Sequence, residues 1–142
     1  EEEYTLPLGE AHIVREGTDV TVVTLGRMLH DTLPAAEILD KEGVSVEIID
    51  PRTLVPMDVE TLRASVQKTG RLVIVDAAGA TAGATAEIAT AATEHAETFA
   101  AMKAPVKRIC ALNVPIPYSP TLEDHVFPDS DKILAGIREA MA

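Results

Sequence analysis

Tryptophan is missing from this 142-residue chain, and aromatic residues make up only 3% of it. A core must therefore be built from the Val, Ile, Leu and Ala that dominate a 46% hydrophobic composition. Small aliphatic side chains packed over broad interfaces favour layered α/β architecture over a sandwich of two sheets. Cysteine is almost absent too. Cys110 stands alone, so it cannot close an intramolecular disulfide or contribute to a metal knuckle, and the chain reads as intracellular and cytoplasmic. Basic residues are scarce: 12 Lys and Arg face 23 Asp and Glu, a net charge of −11. That balance repels phosphate backbones and anionic lipid, so neither nucleic acid nor membrane is an expected partner. It serves solubility and permits a basic protein partner. No apolar run reaches the roughly 18 residues of a membrane span. The start, Glu1-Glu2-Glu3-Tyr4, is the opposite of a signal peptide's basic start, and without an initiator Met the chain is expected to be a fragment of a longer one.

What is present reads as alternating strands and helices. The run Asp19 to Leu25 is β-branched and nearly continuously apolar, the pattern of a strand buried on both faces, and Gly26 ends it. Apolar positions from Met28 to Glu42 recur at helical spacing, with Pro34 predicting a late start or a kink. Val44 to Asp50 is a second strand, followed by a Pro-bounded loop over residues 51–57 and a helix from Val59 to Lys68 capped by Asp58. Arg71 to Asp76 is a third strand. A run of small residues, Ala77 to Thr85, then leads into an Ala-rich helix expected over Thr85 to Met102. Val106 to Leu112 extends again, residues 113–120 are too proline-rich for helix or central strand, and a last helix near Asp131 to Met141 is capped by Asp129 or Ser130. Strands separated by helices imply parallel pairing through right-handed crossovers, with helices on both faces, and His12 to Glu16 adds an edge strand.

Chemistry is harder to find. Ligands of open α/β sheets bind at the carboxyl ends of the strands, here the loops after Leu25, Ile49, Val75 and Leu112. Gly79 to Gly83 follows a strand but lacks phosphate-loop spacing, so close packing is the better account. His12, His30, His95 and His125 stand far apart with no metal-ligand spacing. His30, in a turn from strand to helix, reads as exposed or capping, and Cys110 as core. No G-x-S-x-G elbow surrounds any serine. Asp50 and Asp76 each end a strand and could pair for acid–base work, but a structural bridge between Asp50 and Arg52 is preferred. From the residues alone, the reading stops at a parallel α/β domain with no assembled active site.

Ordered motifs go further. Pro7-Leu8-Gly9, Val14 to Thr21, Asp50 to Asp58, Lys68 to Val75, Ala86 to Ala89, Ala104 to Arg108, Val114 to Ser119, Leu122-Glu123 and Pro128-Asp129 appear in order across nearly the whole chain. Together they resemble the transketolase C-terminal domain as found in beta subunits of pyruvate, branched-chain 2-oxoacid and acetoin dehydrogenases. The resemblance implies a three-layer α/β/α sandwich around a mostly parallel five-stranded sheet with one antiparallel edge strand. Residues 1–9 would end an interdomain linker and residues 10–142 would form the domain.

The resemblance also implies that this domain is non-catalytic alone and holds no cofactor or metal. Thiamine diphosphate and Mg²⁺ would belong to other parts of the parent complex, which oxidatively decarboxylates and transfers acyl groups to lipoyl carriers. The implied partners are an alpha subunit, a second beta subunit and, in some members, the peripheral subunit-binding domain of an acyltransferase core. On this reading Gly79, Ala82 and Gly83 of one loop and Pro115, Pro117 and Tyr118 of another are interface residues. Lys103 replaces an acidic residue that many relatives carry there, which weakens core docking and tilts the substrate toward acetoin. Asp76-Ala77 and Ala82-Gly83 also depart from the family's usual acidic and Gly-Gly pairs. The alternatives are a regulatory or small-molecule binding module, or the same domain of another transketolase-like enzyme.

Overall fold

The computed structural model describes residues 4–142; Glu1 to Glu3, part of the expected linker, lie outside the described residues. Three runs become parallel strands at the centre: β2 (Val20–Thr24), β3 (Val46–Asp50) and β4 (Leu72–Gly79). All five residues of β2 are buried, as a strand covered on both faces must be. β5 (Lys107–Ala111) pairs in parallel with β4, and β1 (His12–Arg15) pairs antiparallel with β3. The order is β1-β3-β2-β4-β5, with Val22 opposite both Ile48 and Val73. The expected mixed five-stranded sheet with one antiparallel edge is therefore present.

Side chains alternate across this sheet and build two cores. On one face Val20, Val22, Ile48, Val73, Val75 and Ile109 pack under α1 (Met28–Lys41) and α6 (Ser130–Met141). On the other, Val23, Ile49, Leu72 and Ile74 pack under α2 (Val59–Thr69) and α3 (Ala84–Thr93). The two helical layers and the sheet between them make the α/β/α sandwich. Asp58 caps α2 through Thr61 N–H (3.1 Å), and Asp129 caps α6 through Lys132 N–H (2.8 Å).

Four local readings change. Helix α1 starts at Met28, not late, and runs on through Pro34, which has no amide to serve the His30 carbonyl. The Ala-rich segment is two helices, because His95 is extended and α4 (Ala96–Ala101) begins after it. Thr90 and Thr93 direct their hydroxyls back to the Ala86 and Ala89 carbonyls, a bond that weakens a helix end, and Gln67 Nε2 holds the buried Thr98 of α4 at 2.9 Å. Strand β4 continues past Asp76 to Gly79 across a bulge, so the small-residue loop is shorter than expected. Finally, a short helix α5 (Pro120–Val126) follows the proline-rich loop.

The link from β1 to β2 must pass across the amino end of β3, since β1 and β2 flank it. Gly17 makes that crossing. A Cβ there would stand 2.7 Å from the Val46 carbonyl oxygen and closer still to the Glu47 nitrogen. Thr18 and Asp19 N–H groups both donate to the Ser45 carbonyl, and Ser45 N–H donates to Asp19 Oδ2 at 2.7 Å.

Candidate functional site: the carboxyl end of the sheet

Two loops meet where β4 and β5 end. The β4 bulge leaves Ala77 and Ala78 unpaired before Gly79 rejoins β5 at Ala111, and the proline-rich segment leaves β5 alongside them. Asn113 joins the loops: its Nδ2 donates to Thr81 Oγ1 at 2.9 Å, and a Cβ on Gly79 would stand 2.7 Å from its Oδ1. Arg108 donates to the Ala80 carbonyl at 3.0 Å. The turn closes tightly, with Ala82 at φ 55° in the left-handed region and a Gly83 Cβ barred by the Gly79 carbonyl.

Between the loops lies an open groove of about 510 Å³, lined mostly by Ala77, Ala78, Gly79, Leu112, Val114 and Ile116. Exposed apolar side chains rim it. Ile116 is 64% exposed, with Leu112 and Val114 also in solvent, and beyond the lining residues Tyr118 (103%) and Leu122 are exposed further along the chain. Gly79 and Pro115 thus line one groove and Gly83 lies against the Gly79 carbonyl, while Ala82, Pro117 and Tyr118 lie on the same two loops without lining it. Asn113, the residue that ties them, was passed over in the sequence because a lone Asn in a loop has no distinguishing pattern.

The other candidates do not converge. Asp50 and Arg52 are joined through the backbone: Asp50 Oδ1 accepts from Arg52 N–H at 2.9 Å, and no ion pair links the two side chains among the described residues. Arg52 adopts φ 56°, and the turn that Asp50 closes supports that backbone, so a local side-chain acceptor replaces the expected guanidinium bridge. Asp76 does the same for Ala78 N–H at 3.1 Å. Strand β2 stands between the strands carrying Asp50 and Asp76, which keeps the two carboxylates apart. All four histidines are exposed. Cys110 is half-buried rather than in either core, with its Sγ 3.5 Å from Thr85 Oγ1. Among the described residues no three His, Cys, Asp or Glu side chains converge as a metal site.

At the amino end of the sheet the sequence reading missed a buried polar network. Glu47 is fully buried in β3 and accepts hydrogen bonds from Gly17 N–H (3.2 Å), Ser65 Oγ and Lys68 Nζ. Thr21 Oγ1 lies 2.6 Å from Ser65 Oγ and 2.8 Å from Thr69 Oγ1. Burial pushes the Glu47 carboxyl up, but hydrogen bonds from Lys68, Ser65 and Gly17 outweigh it and hold the group below its ordinary range. The same bond to Glu47 raises the Lys68 ammonium. Charge at an inward position of a buried strand, with Ser65 and Thr69 one helical turn apart on the facing helix, was the available signal.

A second groove, of about 420 Å³, lies before β5 and is lined by Thr93, Phe99, Met102, Lys103 and the segment 104–106. Phe99 is 71% exposed beside it. Lys103 turns its ammonium inward to the Thr69 carbonyl at 3.0 Å, covering the end of α2.

Comparison with known proteins agrees with this architecture. Residues 9–133 match the family described as transketolase, C-terminal domain. The chain is 45% identical to an acetoin:2,6-dichlorophenolindophenol oxidoreductase subunit beta from Cupriavidus necator, over 97% of this chain and 40% of that protein. It is 39% identical to the pyruvate dehydrogenase E1 component subunit beta of Bacillus subtilis, over 99% of this chain and 42% of that one. The chain thus spans about two fifths of the length of these relatives. A solved structure described as a split gene transketolase, inactive beta4 tetramer, superposes with a TM-score of 0.82 at 25% identity, over 98% of this chain and 43% of that one. The sandwich, its single antiparallel edge and the match over residues 9–133 together place the chain in the transketolase C-terminal domain family.

Proposed function

We propose that this chain is the subunit-assembly domain of the beta subunit of an acetoin or 2-oxoacid dehydrogenase, with residues 1–9 leading into it and residues 10–142 forming it. The observation that carries this reading is the apolar rim at the carboxyl ends of β4 and β5, where Leu112, Val114 and Ile116 line a groove while standing in solvent, and the exposed Tyr118 follows two residues on in the same loop. Contiguous apolar surface of this kind marks a protein interface. The relatives are named as beta subunits, and the solved neighbour as a beta4 tetramer, which supports pairing with a second beta subunit and with an alpha subunit. Thiamine diphosphate and Mg²⁺ belong, on this reading, to the parent complex, and no step of its chemistry is assigned to residues of this domain.

Gly79, Ala82 and Gly83 serve the interface by keeping the β4 turn low, and Pro115 and Pro117 by holding Ile116 and Tyr118 outward at little entropic cost. The exposed Phe99 at the second groove favours an additional contact there with a basic domain of an acyltransferase core, in keeping with the −11 charge. Lys103, the cation that stands there in place of an acidic residue, weakens that contact, although its ammonium is turned to the Thr69 carbonyl. Sedimentation of the 142-residue chain at rising concentration tests the assembly reading. Mass should increase with concentration for the native sequence and stay monomeric for the double variant Ile116→Asp, Tyr118→Asp. Identical behaviour of the two chains would remove the rim from the interface.

A further inference from the structure

The ammonium of Lys132 is surrounded in a way that one-to-one hydrogen bonding does not explain. Lys132 Nζ lies 3.2 Å from the Asp124 carbonyl oxygen, 3.3 Å from that of His125, 2.7 Å from that of Phe127 and 3.2 Å from Asp129 Oδ2. Four acceptors thus surround a group with three N–H bonds. Three of them are backbone carbonyls from a single turn, the donor set that proteins use to replace the hydration shell of a potassium ion. The lysine folds back onto this turn from the first turn of α6, which follows it directly, and Asp129 fixes the start of that helix by accepting Lys132 N–H at 2.8 Å.

We propose that the turn over residues 124–129 is a monovalent-cation site that this chain fills with its own Lys132 ammonium. Ammonium and potassium ions are close in size, so the open half-shell of oxygens that holds the one, on a side chain 43% exposed, suits the other, whereas the smaller sodium ion would not reach all four oxygens at these spacings. A cavity of about 280 Å³ beside the turn, lined by Asp124, Phe127 and Asp129 among others, leaves room for water to complete the shell of a free ion. The site also has a structural task. The carbonyl of Val126, within the same turn, accepts Leu112 N–H at 3.1 Å, so the cage anchors the foot of the proline-rich loop.

Removing the side chain should convert the built-in cation into an exchangeable one. Thermal unfolding of Lys132→Ala would be compared with the native chain in choline, sodium, potassium and ammonium chloride at equal ionic strength. The native chain should unfold at one temperature in all four. The variant should unfold about 5 °C lower in choline and sodium chloride and recover in potassium or ammonium chloride, with a rise that follows the logarithm of cation concentration. An equal midpoint in all four salts, or no loss at all, would overturn the proposal. Adding Asp129→Asn to the variant should weaken the potassium response, and an unchanged response would also overturn it. If Lys132→Ala does not fold in choline chloride, recovery of folded protein only with potassium or ammonium supports the site, and failure in every salt refutes it.

Discussion

Replacing Glu47 by Gln keeps the shape of a fully buried side chain and removes its charge. The amide oxygen can take the Oε1 place and keep Ser65 Oγ, or the Oε2 place shared by Gly17 N–H and Lys68 Nζ, but in either case the negative charge that holds the ammonium is lost. Breaking a buried pair by changing one partner costs roughly 3–5 kcal/mol. Lys68 is 41% exposed and can turn to solvent or stay with Glu16, which relieves part of that, so a loss of about 3 kcal/mol is expected. For a domain of this size that is about 10 °C in melting temperature. The pH dependence separates the ion pair from mere packing. Because the folded Glu47 carboxyl lies below its ordinary 4.5, its stabilising contribution is present above pH 4.5 and is lost as pH falls through the folded value. Urea unfolding from pH 8 to pH 3 should therefore show the native chain and Glu47→Gln far apart at neutrality and converging below pH 4.5. A constant gap across that range, or no gap at pH 7, would refute the reasoning.

Two further outcomes follow from the same packing. Gly17→Ala should cost more than Glu47→Gln, because the new Cβ meets backbone that cannot move without displacing β3, and soluble expression at 37 °C should fall sharply. Asp58→Ala removes the acceptor shared by Thr61 N–H, Thr61 Oγ1 and Ala11 N–H, and should cost about 2 kcal/mol by chemical denaturation at pH 7. Burial raises the Asp58 carboxyl, but those bonds outweigh it and lower it from its ordinary 3.8, so this contribution also disappears only in acid.

The sheet was legible because its strands are long apolar runs between capped helices, and Asp58 and Asp129 marked two helix starts by chemistry that acts within four residues. What escaped depended on distance in sequence. The break at His95 needed Gln67 to hold Thr98, a contact 31 residues apart. The extension of β4 needed β5 as its partner, and only then does Gly79 fall opposite Ala111. At the candidate site, both loops were recognisable from their small and proline residues, but their meeting through Asn113 and Thr81 was not, because those residues lie 32 positions apart. The Asp50–Arg52 pairing was expected from charge, whereas the backbone N–H two residues on is the nearer donor and takes the carboxylate first. Glu47 was hidden for the converse reason, since a glutamate in a strand normally faces water.

The antiparallel direction of β1 decides which end of the molecule each terminus occupies. Because His12 lies opposite Asp50, the segment entering β1 stands at the carboxyl end of the sheet, where Gly9 N–H donates to Thr53 Oγ1 at 3.0 Å and Tyr4, Leu6 and Leu8 before it are exposed. Helix α6 runs the other way, from Ser130 bound to the Asp31 carbonyl to Ala140 bound by Arg71, and delivers Ala142 to the amino end. A tag, fluorophore or surface-attachment point fused at the N-terminus would therefore crowd the end that carries the apolar rim. The same group fused at the C-terminus would project from the opposite end and leave that rim free, so the choice of terminus itself decides what an association measurement on this domain reports.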